Sequence, residues 1–207
     1  MYNVYVIGMG PGHEDYIVPA ATKAIEQADV LVGAKRHLER FDNGRKRMIA
    51  LTGDLSAVVN EIERCRQYWR VAVLVSGDPG FYSLLAFLRR YFDSEELSVI
   101  PGISSMQMLA AAVGDTWSDM AVFSAHGRSL EGLERLLSHS DKVLVLTDDV
   151  NCPAAIARFM IERGMDSFRI AVGENLSYDD QRIRVFAPYE LAMCNDISPL
   201  NVMAVWR

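Results

Sequence analysis

YVIGMGPGH, residues 5–13, is an apolar run that breaks into glycines at positions 8, 10 and 12. A strand ending in a glycine-rich bend is the usual way an α/β sheet presents backbone to a nucleotide. The dinucleotide fingerprint GxGxxG does not fit: Gly8 and Gly10 match, but the third place is His13 and Gly12 comes one residue early. Pro11 stiffens the bend, and the next helix is marked only at Pro19. A pyrophosphate there would miss the helix dipole and free amides it normally uses.

Outward from this bend, short β-rich runs alternate with helical patterns. YNVYVI (2–7), VLVG (30–33), VAVLV (71–75) and LSVI (97–100) read as strands. Helices are expected over 19–28, 55–68, 82–92 and 105–114, with Pro19 suiting a first turn. Strands apolar on both faces and alternating with helices predict a mainly parallel sheet covered on each side. GDTWSDM (114–120) carries turn formers and predicts a boundary between one domain at 1–115 and another at 120–207. Beyond it, AVFS (121–124), KVLVLT (142–147), FRIAVG, IRVF and NVMAVW read as strands, with helices over 130–139 and 153–163. The last three strands have short connections, which predicts a mixed sheet. The fold class is therefore α/β, in two domains.

Two further bends resemble the first in placement. Ser76, Gly77, Asp78 and Pro79 follow one buried strand, and Pro101, Gly102, Ile103, Ser104 and Ser105 follow another. In a parallel sheet the strand ends after which these bends fall share one edge, where open α/β sheets bind ligands. The glycines allow close approach of backbone, Asp78 offers a carboxylate, and Ser104 and Ser105 offer hydroxyls. No lysine or arginine occurs in the three bends. That set suits a ligand with an amine and a ribose better than one rich in phosphate. A single Gly-Asp-Pro or Pro-Gly is ordinarily a turn; it is the threefold recurrence that favours a site.

The bulk properties exclude several classes. The chain has 207 residues, half of them apolar and 23% charged, with a net charge of −6. That balance disfavours nucleic acid as a main partner. Three scattered cysteines, Cys65, Cys152 and Cys194, give neither a disulfide framework nor a zinc pattern, so no metal is expected and a reduced, cytoplasmic setting fits. No apolar run approaches the roughly 18 residues of a membrane span.

GMGPG, SGDPGF and PGISS together resemble the tetrapyrrole (corrin/porphyrin) methylases, over nearly the whole chain. GAKRHLERF, SAHGR and GENLSYDDQRI are most similar to the branch that methylates carbon-5 of the corrin ring in cobalamin synthesis. The resemblance implies S-adenosyl-L-methionine as cofactor, in a cleft between two α/β domains of the class III methyltransferase type. It implies cofactor contacts from Pro11, Gly77, Asp78, Phe81, Ser104 and Ser105, and from Thr147, Gly173, Glu174 and Asn175 in the second domain. It further implies a precorrin or cobalt-precorrin substrate, a homodimer, and a separate protein for the carbon-15 methylation and decarboxylation. One departure from the family is Ala34, which stands where relatives acting on uroporphyrinogen carry an aspartate.

Such a substrate carries many carboxylates, which arginine's planar fork binds well. Lys35, Arg36, His37 and Arg40 cluster after the second strand, and Arg128 follows His126, so these five are expected to hold substrate. His126 is the candidate for proton handling, since histidine titrates near neutral pH; a hydrogen-bonded structural histidine is the competing reading. The alternatives to a carbon-5 methyltransferase are another tetrapyrrole or diphthine methylase, and a non-catalytic module that binds the same cofactor.

Overall fold

The structure is a computed structural model describing residues 1–207. It divides into two compact units, Met1–Ser104 and Ser105–Arg207. The 114–120 linker expected to separate domains therefore lies inside the second unit.

In the first unit five strands, β1 (Val4–Gly8), β2 (Val30–Gly33), β3 (Arg47–Ala50), β4 (Val71–Val75) and β5 (Leu97–Ile100), form one sheet in the order β3-β2-β4-β1-β5. Every pairing is parallel. The chain steps one way along the sheet from β1 through β3 and back the other way through β5. Right-handed crossovers then place the two groups of helices on opposite faces. Val6, Val32, Val71 and Val73 pack under α3 (Leu55–Arg66), whose face is Val58, Val59 and Ile62. Ile7, Leu31 and Leu74 pack under α1 (Pro19–Gln27) and α2 (Lys35–Arg40), through Ala21, Ile25 and Leu38. Alternate residues of β4 thus serve two cores, which is why VAVLV has no polar position.

Local signals set the helix starts. Pro19 occupies the first turn of α1, and the Asp54 carboxylate accepts from the Ala57 amide to cap α3 at 3.0 Å. One expectation needs correction, and one stretch without a clear pattern proves structured. The helix over 82–92 is reduced to α4 (Leu85–Leu88), because Tyr82 sits at φ 48°, a conformation no helix accepts. The basic stretch 34–47 is also structured, as α2 and the start of the edge strand β3. RMIA is half-exposed there and lacks the apolar alternation that would mark a strand.

In the second unit, β6 (Ala121–Ser124), β7 (Lys142–Leu146), β8 (Arg169–Glu174), β9 (Arg182–Phe186) and β10 (Asn201–Trp206) run in the order β6-β7-β10-β8-β9. Only the β6–β7 pair is parallel, so the sheet is mixed as expected. One face packs on α6 (Glu131–His139), α7 (Pro153–Glu162) and α8 (Pro188–Ala192). On the other face α5 (Ser105–Ala112) packs against β7 and β10, which is why it belongs with the second unit. No helix is long and apolar enough to cross a membrane.

The glycines in the two units give a discriminating test. A Cβ on Gly102 would press into the carbonyl of Gly77 and lie 2.9 Å from the Gly8 backbone, neither of which can yield. A Cβ on Gly173 would meet side chains instead, Leu109 at 2.9 Å and Leu176 at 3.0 Å. Gly102→Ala should therefore lower the unfolding free energy by about 3 kcal/mol and Gly173→Ala by only about 1 kcal/mol. Urea midpoints at unchanged slope measure both; equal costs would contradict the backbone contact.

Candidate functional site

The C-terminal ends of the five parallel strands lie along one edge, and the bends after β1, β4 and β5 are neighbours there because β1 sits between the other two. Their backbones touch. Gly10 and Gly77 form an isolated bridge, with the Gly77 amide donating to the Gly10 carbonyl at 2.8 Å. The Met9 amide donates to the Val75 carbonyl at 2.8 Å. Gly77 has φ 64°, and a Cβ there would stand 3.6 Å from the Ser104 Cα. Gly8 and Gly102 thus meet with no room for side chains, and Gly77 joins them through its positive φ.

Asp78 locks this junction. Its carboxylate accepts from the Gly80 amide at 2.8 Å and from the Gly102 amide at 3.1 Å. The group expected to meet a ligand therefore also ties the β4 bend to the β5 bend. An ionised carboxylate offers about four acceptor positions, so it retains capacity for an amine or hydroxyl. Pro11 and Phe81 are partly buried on these bends and Ser104 is buried, while Ser105, partly buried, opens α5 of the second unit. The rim supplies carboxylate, hydroxyl and backbone groups, a set that fits the amine and ribose of S-adenosyl-L-methionine.

The basic cluster divides on inspection. Lys35 is exposed and pairs with Glu39 one turn on, at 3.6 Å. Arg40 turns back to the first bend, donating to the Gly12 carbonyl at 2.9 Å and pairing with Glu14 at 3.3 Å. It braces the loop and is not a free cation. Arg36 and His37 instead converge on Ser76, the residue just past β4, with Arg36 Nη2 2.7 Å and His37 Nε2 2.9 Å from its Oγ. Arginines absent from the three bends in sequence are thus brought to them from α2. Burial, helped by the charges of Arg36 and Arg40, lowers the His37 pKa to about 4. The imidazole is neutral at physiological pH, and Ser76 Oγ accepts from Arg36 while it shares a hydrogen bond with His37 Nε2. Ser76 was not among the expected site residues. Its only sequence signal was its place after a buried strand, since its partners lie 39 and 40 residues away.

In the second unit, His126, Gly127 and Arg128 form an exposed bend after β6. It is pinned from β7: the Gly127 amide donates to Asp148 at 2.8 Å, and Asn151 Nδ2 donates to the carbonyls of Ala125 and Arg128 at 2.8 and 3.1 Å. Backbone amides of Gly127 and Asn151 hold the Asp148 carboxyl below the ordinary carboxylate range. Thr147 donates to Asn201 Oδ1 at 2.8 Å. Asn175, at φ 46°, accepts from the Ser198 hydroxyl and donates to Asp180, each at 2.7 Å.

Glu174 departs most from expectation. It is fully buried, accepting from Arg182 Nη2 at 2.7 Å, Arg184 Nε at 2.9 Å and the Ser198 amide at 2.7 Å. Asp196 completes the cluster through Arg184 at 2.9 Å. Hydrogen bonds from Cys194 and Arg184 take its pKa down to about 2. With no surface of its own, Glu174 holds the 196–201 segment in place. Gly173 likewise gives room to Leu109 and Leu176.

The His37 shift has a stability consequence. The unfolded chain protonates this histidine near 6.5, the native state only near 4. Between those values the unfolded state binds more protons, so the contribution is whole above pH 6.5 and drains away as pH falls toward 4. Because water reaches part of the ring, the effect is on the order of 1 kcal/mol. Chemical denaturation at pH 7 and pH 5 should show the wild type losing that much more than His37→Gln. An NMR titration of the ring with its midpoint near 6.5 would contradict the assignment.

Comparison with known proteins accords with this geometry. The family model of the tetrapyrrole (corrin/porphyrin) methylases matches residues 3–192. Cobalt-precorrin-7 C(5)-methyltransferase of Salmonella typhimurium is 38% identical over 192 residues, covering 90% of this chain and 94% of that protein. The probable cobalt-precorrin-7 C(5)-methyltransferase of Methanocaldococcus jannaschii is 33% identical over 205 residues, 96% of this chain and 95% of that one. Among solved structures, the cobalamin biosynthesis precorrin-6Y methylase of Archaeoglobus fulgidus matches with a TM-score of 0.73 at 26% identity, covering 99% and 98% of the two chains. With the family model and relatives above 30% identity spanning nearly its full length, this chain belongs to the tetrapyrrole methylases.

Proposed function

We propose that this protein transfers the methyl group of S-adenosyl-L-methionine to carbon-5 of cobalt-precorrin-7 in cobalamin biosynthesis. The observation that carries the reading is the glycine junction at the strand ends, with Asp78 fastened across it. It stands in a chain whose relatives along nearly the full length bear that activity in their names. The reading also makes this a soluble cytoplasmic homodimer, with a separate protein acting at carbon-15.

The reaction sets modest demands. A ring carbon forms a bond to the methyl group as the carbon–sulfur bond breaks, leaving the neutral thioether and releasing one proton overall. When bound, the cofactor supplies the electrophilic methyl, and the chain supplies position. Alignment alone is worth several kcal/mol of such a barrier. In this reading Gly77, Asp78, Phe81, Ser104, Ser105 and Pro11 hold the cofactor. Asp78 contributes twice, by accepting from the ligand and by keeping the β5 bend against the β4 bend. Arg36, His37, Arg128 and the exposed Lys35 serve the substrate's carboxylates, while Arg40 keeps the first bend in shape. His126 is available to take the proton, on a bend that Asp148 and Asn151 hold in place. Thr147 and Asn175 are further candidates for cofactor contact, and Glu174 holds the 196–201 segment through the Ser198 amide.

Incubation with labelled S-adenosyl-L-methionine and a panel of cobalt-precorrins, followed by NMR location of the new methyl, tests the assignment; a label at any other ring carbon overturns it. Asp78→Asn should weaken cofactor binding about 10-fold by calorimetry, since a hydrogen bond to a charged group is worth about 1.5 kcal/mol or more. Unchanged affinity would remove Asp78 from the cofactor site.

A further inference from the structure

Ser76 and His37 line a cavity of about 230 Å³ in the first unit, and Arg36 is hydrogen-bonded to the Ser76 hydroxyl of that lining. Its interior is apolar, from Leu51, Leu74, Val75 and Leu84, and its polar groups are His37, Ser76 and Ser83. We propose that this cavity receives one carboxylate-tipped arm of the tetrapyrrole, with Arg36 binding the carboxylate and Ser76, held by His37, aiming Arg36 as a specificity-determining residue. The inference rests on the proposed reading of the substrate.

The chemistry of the lining selects this occupant. An acetate or propionate arm has a short methylene stem that suits leucine walls and a charged tip that needs a cation at the mouth. Arg36 is the cation bonded to the lining, and its reach is set by the 2.7 Å bond to Ser76. Ser76 accepts that bond in a fixed direction because its hydroxyl is also held by the hydrogen bond to His37 Nε2 at 2.9 Å. A protonated His37 would also donate to Ser76 and compete with Arg36 for the same lone pairs. The charged groups around the imidazole are Arg36 and Arg40 of its own helix, and both work against that protonation. Within a protein of net charge −6, neutral His37 leaves Arg36 as the cation hydrogen-bonded to this lining.

A second feature points to a ligand clamp. Tyr82 lines the same cavity at φ 48°, with nearly half of its surface exposed. A bulky aromatic residue in the left-handed region is strained, and such strain gathers at ligand-binding positions. Here it ends any helix at 82 and swings Ser83 and Leu84 over the cavity instead.

The test compares two probes by calorimetry: a corrinoid with free peripheral carboxylates, and the same corrinoid with those carboxylates amidated. The wild type should bind the first at least 10-fold more tightly. Arg36→Gln and Ser76→Ala should each weaken it by roughly 10-fold, and the double variant by little more than either alone, because Ser76 acts through Arg36. In turnover the loss should fall on the KM for the tetrapyrrole with kcat nearly kept. Leu84→Trp, which fills the cavity, should reproduce that loss, while affinity for S-adenosyl-L-methionine stays within twofold in all variants. Equal affinity for the two probes, additive losses, or full binding by Leu84→Trp would overturn the inference. If the wild type neither binds nor methylates any tetrapyrrole, the proposed function fails first. If it does both and the variants match it, only the role of this cavity fails.

Discussion

The site depends on the mutual contact of three backbones at Gly8, Gly77 and Gly102. Each glycine ends or follows a different parallel strand; at Gly8 and Gly102 any side chain would collide with the main chain of another bend, and Gly77 holds a positive φ that favours glycine. Asp78 fastens the arrangement by accepting from Gly80 and Gly102 together. Removing Cβ atoms at this one point lets the bends meet. The bends then lie together at the sheet edge, where a parallel sheet binds ligands. Parallel pairing is what makes this possible, since it puts all five strand ends on the same side.

The electrostatics next to that junction are arranged by a single helix. α2 begins directly after β2, the strand beside β4, so its residues overhang the β4 bend. Its four candidate binding groups have different fates: Lys35 pairs with its own helix, Arg40 braces the first bend, and Arg36 and His37 share Ser76. Burial and two neighbouring cations keep the imidazole uncharged. A run of basic residues in the chain has become one directed cation, one neutral imidazole and one structural brace.

The second unit shows how a polar motif can be used inward. Glu174 lies at the end of β8, and a buried carboxylate there requires partners. Arg182 and Arg184 on the adjacent strand β9 supply them, and the Ser198 amide takes a further position. The two arginines reach the same carboxylate because alternate residues of a strand point to the same face. Through Ser198 and Asn201 the cluster reaches Asn175 and Thr147, so the segments that carry these polar groups form one hydrogen-bonded unit.

The apolar strands of the first unit, the alternation with helices, the mixed second sheet and the three converging bends were all legible in the chain. Each rests on local rules: burial on both faces of a parallel strand, proline in a first helical turn, glycine where backbones must approach. The motifs GMGPG, SGDPGF and PGISS were enough to indicate the family. Only the tertiary structure decided the rest. RMIA is a strand because β2 offers it an edge, the 82–92 helix is cut short by the backbone at Tyr82, and α5 joins the second unit by packing on β7 and β10. The same holds for the side chains, since Glu174 and Arg40 read as binding groups until their partners, 8 to 28 residues away, were in place. Propensity and pattern act along the chain, whereas a charge takes its role from whatever folding puts beside it.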